Sequence, residues 1–326
     1  MKNKYLKNWF SALKYRNESF GLEPYSLQTI TKNPSEENWT VQHGRFDQYP
    51  YRGSGERVAV LDTGVDKNHP ELKNKVDSYN FIAKNYDETP CHDYVSHGTF
   101  MIGEIISRKY GVAPKATCMS GKVLYGDGRD ANLYQFEKDL VSAIQFACYN
   151  NCGVISMSFG FPHRSLIVEE ALEQAIDMGV IPIAAAGNEG MHGSQYASYP
   201  ASFPNCISVG SAGENDLPAW FSTSGRRTLP VEQPEIAIAS KNYHNGIFNN
   251  GRYGKMTGTS IACPIVAGVA LLWRESMREK GLMPEGKEVI KAFRQWLYTH
   301  AKDTNGNGWD NELGYGVLIL NSEDAL

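Results

Sequence analysis

The chain has 326 residues, of which 41% are hydrophobic and 21% charged, with a formal net charge of −4. This is ordinary globular composition, and the acidic balance excludes a protein that neutralises nucleic-acid phosphates with a basic face. No run of 18 apolar residues occurs, so no membrane-spanning helix is expected.

Residues 1–50 are polar and aromatic with weak periodicity, and read as an N-terminal extension of one short helix and loops. The opening stretch, MKNKYLKNWFSALKYRNESF, begins basic but lacks an apolar core, so it does not read as a secretory leader. From residue 51 to 326 the texture is that of one folded domain. Val58-Ala59-Val60-Leu61 is a short apolar strand ending at Asp62, and Thr117 to Val123 predicts a second. Val154–Met157, Val180–Ala185, Cys206–Val209 and Ile236–Ala239 predict four more.

Helical patterns lie between these runs. Phe100–Ile106 follows His97. Leu133, Phe136, Leu140, Ala143, Ile144 and Ala147 recur at three and four, which is one face of a helix. Leu166–Met178 is another, stopped by Gly179. Apolar strands alternating with helices predict an α/β fold: three layers, a doubly wound and mostly parallel sheet with helices on both faces. In such a sheet the ligand site lies at the carboxyl ends of the strands, where Asp62 falls.

The six cysteines are Cys91, Cys118, Cys148, Cys152, Cys206 and Cys263. Cys118 and Cys206 lie in strand-like apolar runs and Cys148 in a helical one, where cysteine acts as a small buried hydrophobe. Free thiols are therefore expected. With no leader, this points to the cytoplasm. Cys148 and Cys152 have no second pair or nearby histidine that would complete a zinc set.

Three segments carry chemistry. An acid, Asp62, ends a buried strand and is followed by Thr63-Gly64. His97 opens a helix in Ser96-His97-Gly98-Thr99. Ser260 opens another in Gly258-Thr259-Ser260-Ile261-Ala262-Cys263-Pro264. A serine at a helix N-terminus has backbone N–H groups and a positive dipole end beside it, which favour the charge formed when it attacks a carbonyl. Either a lone His-Gly turn or a lone Thr-Ser cap is commonplace. Acid, histidine and serine together are what a nucleophile–base–orienter system needs.

In the order Asp, His, Ser, these segments resemble the subtilisin family of serine peptidases, the subtilases. Ile155-Ser156-Met157-Ser158-Phe159-Gly160, Ala184-Ala185-Ala186-Gly187-Asn188-Glu189-Gly190, Tyr199-Pro200-Ala201 and Ala219-Trp220-Phe221-Ser222 also resemble family segments. The resemblance covers roughly residues 55–320. It implies a serine endopeptidase in which Ser260 attacks, His97 moves the proton, Asp62 orients His97, and Asn188 with the Ser260 N–H holds the oxyanion.

The resemblance further implies an extended peptide substrate laid as an added β-strand between Ser158-Phe159-Gly160 and Gly128-Arg129-Asp130. Ala185, Gly187, Glu189 and Ser198 would line the P1 pocket. Ser198 stands where many relatives have glycine, which makes the floor shallower, and Glu189 at the rim favours a basic P1 side chain. No cofactor is required for the chemistry. The loop between His97 and Val112-Ala113-Pro114 is clipped, so the tight calcium site of secreted relatives is expected to be absent. Ile261 replaces a frequent methionine, which removes a sulfoxide-forming side chain. Cys263, three residues from Ser260, is expected to expose the enzyme to bulky thiol reagents.

Two further segments call for interpretation. Asp303-Thr-Asn305-Gly-Asn307-Gly308-Trp-Asp310 has the alternating oxygens of the first half of an EF-hand-type loop, an expectation of structural calcium. Gly314 falls where the bidentate Glu belongs, and a polar Asn-Gly turn fits the same residues. Leu22-Glu23-Pro24-Tyr25 resembles an element of the short inhibitory propeptide of intracellular subtilisins. The extension is too short for the folding prodomain of secreted relatives. The expected function is thus an intracellular endopeptidase. A protease dedicated to trimming a leader or precursor is the narrower form, and a non-catalytic binding module the alternative, disfavoured by the intact set of residues.

Overall fold

The computed structural model describes residues 38–82, 91–125, 133–161, 163–190, 198–225, 233–241, 244–306 and 308–321. Its centre is built from the strands the apolar runs predict. β1 (Arg57–Asp62) shows the logic. Successive side chains point to opposite faces, so Val58 and Val60 enter one hydrophobic core while Ala59 and Leu61 enter the other. A strand apolar at every position is one covered on both faces.

The remaining strands are β2 (Val76–Asn80), β3 (Thr117–Lys122), β4 (Val154–Met157), β5 (Ile181–Ala185), β6 (Ile207–Ala212), β7 (Ile236–Ala239), β8 (His244–Phe248), β9 (Arg252–Met256), β10 (Ala301–Lys302) and β11 (Val317–Leu318). Among the described residues, nine form one sheet in the order β10-β11-β7-β6-β5-β4-β1-β3-β2. All its pairings are parallel except β10 with β11. β8 and β9 form a separate antiparallel hairpin.

The helices are α1 (Trp39–His43), α2 (His97–Ile106), α3 (Leu133–Tyr149), α4 (Leu166–Asp177), α5 (Thr259–Glu279) and α6 (Glu288–Thr299). α3 and α4 pack on the face of Ala59 and Leu61, while α2, α5 and α6 pack on the face of Val58 and Val60. This is the predicted three-layer α/β arrangement. α5 is long and apolar enough to cross a membrane, but 83% of that window is buried under the sheet. The six cysteines are all free thiols, five of them buried.

Several elements lie outside the apolar runs and helical patterns picked out above. β2, Val-Asp-Ser-Tyr-Asn, is a half-exposed edge strand with no apolar run. The β8–β9 hairpin turns at Asn249-Asn250-Gly251, with Asn250 at φ 62° and Gly251 at φ 65°. α6 buries Val289, Ile290, Phe293 and Leu297 along one stripe, a three-and-four spacing set in a segment rich in charge.

Candidate active site

Asp62 is the last residue of β1 and is 2% exposed. Its Oδ1 accepts from His97 Nδ1 at 2.7 Å and from the Thr63 N–H at 2.7 Å. Its Oδ2 is buried with no donor in reach among the described residues. His97 is the first residue of α2, which starts at Ser96 in the left-handed region at φ 65°. Gly98 follows because the helix start is pressed against β1: a β-carbon there would run into the Gly64 carbonyl and approach Asp62. Burial works against a charged imidazole, but the Asp62 carboxylate, by charge and hydrogen bond, together with Asp93, outweighs it. His97 is raised above its ordinary 6.5.

Ser260 is the second residue of α5, at its N-terminus. Pro264 lies four residues on and has no N–H to offer the Ser260 carbonyl. The Ser158 hydroxyl takes that place, donating to Ser260 O at 2.9 Å. The Ser260 hydroxyl in turn donates to Ser158 O at 3.3 Å rather than to His97. A proline inside the helix thus ties the nucleophile's backbone to the segment after β4.

Asn188 follows β5, and its Oδ1 accepts from Thr259 N at 3.0 Å and from Thr259 Oγ1 at 2.9 Å. Two donors on the oxygen fix the amide orientation and leave Nδ2 as a donor beside Ser260. Gly258, at φ 139°, borders that amide; a side chain there would be strained and would lie against Nδ2. The site therefore brings a serine at a helix N-terminus, a histidine bonded to a buried carboxyl, and an oriented side-chain amide to the carboxyl edge of the sheet.

The other predicted residues fall around this centre. Ser158, Phe159 and Gly160 follow β4, and Ala185 ends β5. Ser198 Oγ fills the space that a β-carbon on Gly160 would need. Glu189 folds back over Gly187, and its Oε2 accepts from Thr223 Oγ1 at 3.1 Å. Arg129, with Gly128 and Asp130, and Asn307 lie outside the described residues.

In the Asp303 loop, Asp303 accepts the N–H groups of Asn305, Gly306 and Gly308, and Asp310 accepts those of Glu312 and Leu313. Asn305 Nδ2 donates to Asp310 Oδ2 at 2.8 Å. The hydrogen bonds from Gly308 and Gly306 hold the Asp303 carboxyl below its usual range. The loop is closed by its own backbone donors. Among the described residues, no three His, Cys, Asp or Glu side chains are grouped to hold a metal.

One expectation is corrected. Cys263 is fully buried, and its Sγ lies 3.5 Å from both Ser156 Oγ and Ile183 O. Burial pushes the thiol up to about 11, so it is neither reachable nor ionised at neutral pH.

Sequence reading also missed three residues. Thr259 orients Asn188, and its signal was adjacency to Ser260. Thr63 Oγ1 accepts the Gly98 N–H at 2.9 Å, which ties β1 to α2. Asp93, four residues before His97, is fully buried behind the pair.

Fold and site together place Asp62, His97 and Ser260 at the carboxyl edge of a mostly parallel α/β sheet. Residues 53–316 match the subtilase family, and the chain belongs to that family. It is 36% identical to subtilisin E of Bacillus subtilis over 228 residues, which are 68% of this chain and 56% of that protein. It is also 36% identical over 228 residues to subtilisin of Bacillus pumilus, covering 78% of that protein. It is 33% identical over 293 residues to the major intracellular serine protease of Bacillus subtilis, 84% of each chain. Against subtilisin E and several similar relatives the match spans little more than half of their length.

Proposed function

We propose that the protein is an intracellular serine endopeptidase that cleaves an extended peptide through an acyl-enzyme on Ser260. The observation that carries this reading is the 2.7 Å bond from His97 Nδ1 to Asp62 Oδ1, beside a serine at a helix N-terminus and an asparagine whose amide is already oriented. Ser260 Oγ attacks the scissile carbonyl and His97 accepts its proton. The carbonyl oxygen, now negative, lies between Asn188 Nδ2 and the Ser260 N–H. His97 returns the proton to the leaving amine, and water repeats the sequence on the ester. The intracellular part is supported by likeness to an intracellular protease along 84% of both chains.

Glu189 beside Gly187 supports a preference for a basic P1 residue, and Ser198 against Gly160 supports a shallow pocket. The part of residues 1–50 that bears Leu22-Glu23-Pro24-Tyr25 acts as a short inhibitory extension in this reading, by that resemblance, whereas Phe46 and Tyr49 are buried in the domain core. Structural calcium at Asp303, Asn305, Asn307 and Asp310 is a separate proposal, supported by the alternating oxygens; absence of heat on Ca²⁺ titration after chelation removes it.

The test is labelling with a fluorophosphonate probe, with Ser260→Ala as control, followed by digestion of a peptide library. Labelling lost in Ser260→Ala, with cleavage products, is the expected result. Folded wild-type protein that takes no label would point instead to a binding module.

A further inference from the structure

Asp93 belongs to no part of the mechanism above, yet it is a fully buried carboxyl a few residues from the base. Its Oδ1 accepts from Thr63 Oγ1 at 2.9 Å and from the Val95 N–H at 3.2 Å, and its Oδ2 accepts from the Thr99 N–H at 2.7 Å. Each of these contacts is a donor turned onto the carboxyl, the pattern that suits an anion. The partners sit on the two elements that carry the catalytic pair. Thr63 follows Asp62 directly, and Thr99 is in the first turn of α2, two residues past His97.

The same threonine closes the bridge. Thr63 Oγ1 accepts the Gly98 N–H while it donates to Asp93. Asn249 from the β8–β9 turn completes the cluster: its Nδ2 donates to the Asp93 carbonyl, its Oδ1 accepts from Thr99 Oγ1 at 2.8 Å, and its N–H donates to Ser96 Oγ at 3.3 Å. Ser96 is held at φ 65°, a conformation a non-glycine residue keeps only when its surroundings impose it. The Asn249 N–H bond to its hydroxyl is one constraint on that residue.

We infer that Asp93 is a positioning residue for the catalytic pair, fastening the first turn of α2 to the end of β1 and adding negative charge behind His97. The inference rests on the peptidase reading, because it assigns Asp93 a role in setting the base of that reaction.

Among the described residues, the neighbouring charged groups make the following contacts. Asp62 on β1 is the direct partner. Asp66, beyond β1, turns its carboxylate to the N–H groups of Asn68 and Asn250. Lys122 on β3 sends Nζ to the His92 carbonyl at 2.6 Å. Arg252 on β9 turns to the Asn249 carbonyl. Burial pushes the Asp93 carboxyl above its usual range, the Thr99 and Thr63 bonds pull it back, and Asp62 adds to the rise; in the other direction Asp93 helps raise His97.

The test is a pH–rate profile of three variants made in the full chain. Asp93→Asn keeps the shape and removes the charge. Without that charge the imidazolium is less favoured, so His97 takes up its proton at lower pH. The acid limb of kcat/KM is expected to move down by about half a pH unit or more, with kcat reduced about tenfold.

Thr63→Val keeps the Asp93 charge and cuts the bridge, so kcat falls while the limb stays in place, and Thr63→Ser restores kcat. A folded Asp93→Asn, judged by its near-ultraviolet circular dichroism, whose acid limb matches wild type overturns the inference. If Asp93→Asn does not fold, the threonine variants decide, and wild-type kcat in Thr63→Val overturns it. Wild-type protein that no fluorophosphonate labels would instead sink the peptidase reading, and is measured first.

Discussion

Thr259 donates twice to Asn188, through its N–H at 3.0 Å and its hydroxyl at 2.9 Å, both onto Oδ1. The amide that would hold the oxyanion is therefore aimed before substrate arrives, which is what makes such a donor effective. Asn188→Ala is expected to lower kcat about 10²–10³-fold with little change in KM; that magnitude comes from subtilisin, a relative of this chain. Thr259→Val removes one of the two orienting donors and should lower kcat by about tenfold, less than loss of the amide itself. Steady-state kinetics on one peptide check both, and equal losses would contradict an orienting role for Thr259.

The base is raised above the ordinary imidazole value, with burial opposing and Asp62 and Asp93 prevailing. His97 must be neutral to accept the serine proton. Activity is therefore lost as pH falls through a value above 6.5, and kcat/KM measured from pH 5 to 9 should show its acid limb there. Asp62→Asn should remove most activity at every pH, because the amide supports neither the needed tautomer nor the charged form. A limb below 6.5 in wild type would contradict the electrostatic account.

Glu104 makes stability depend on pH in the opposite sense to a paired surface acid. It lies in α2, fully buried, with Oε2 accepting from Asn38 Nδ2 at 2.7 Å and Oε1 without a donor among the described residues. Burial pushes its carboxyl to about 8. The unfolded chain ionises it near 4.5, so its contribution to stability is full below that and is lost as pH rises towards about 8. The loss is on the order of a few kcal/mol. Glu104→Gln can still accept from Asn38 and has no charge to bury. Thermal melts should show it close to wild type at pH 5 and more stable at pH 8. An equal shift at both pH values would rule out ionisation as the cause.

Cys263 should resist modification in the native state. It is fully buried, and its thiol is pushed up to about 11. Treatment with a bulky maleimide is expected to leave activity intact and Cys263 unlabelled by peptide mass mapping, while denaturant exposes it. Rapid native labelling of Cys263 would contradict its burial.

The strands and the centre of the site were legible because their signals are local. Val58–Leu61, Val154–Met157 and Ile236–Ala239 are apolar runs of strand length, and the strands formed on them. β2 was not legible, since an edge strand with one neighbour needs no apolar run, and Asp77 can face solvent. The β8–β9 hairpin reads as polar loop because its partner contacts come from Phe100 and Gly103 on α2, far away in the chain.

By itself the sequence determined which acid, histidine, serine and asparagine stand within two residues of a glycine at the ends of elements, and in what order. Those are covalent neighbours, so residue type and adjacency carry them. Only the tertiary structure decided what fixes those groups in place. Asp93 accepts from Thr63 and Thr99, Ser158 fills the bond that Pro264 denies to Ser260, and Glu104 lies buried under Asn38. Each depends on groups brought together by the packing of α2 and α5 against the sheet, and burial, which sets their charge, exists only once that packing has formed.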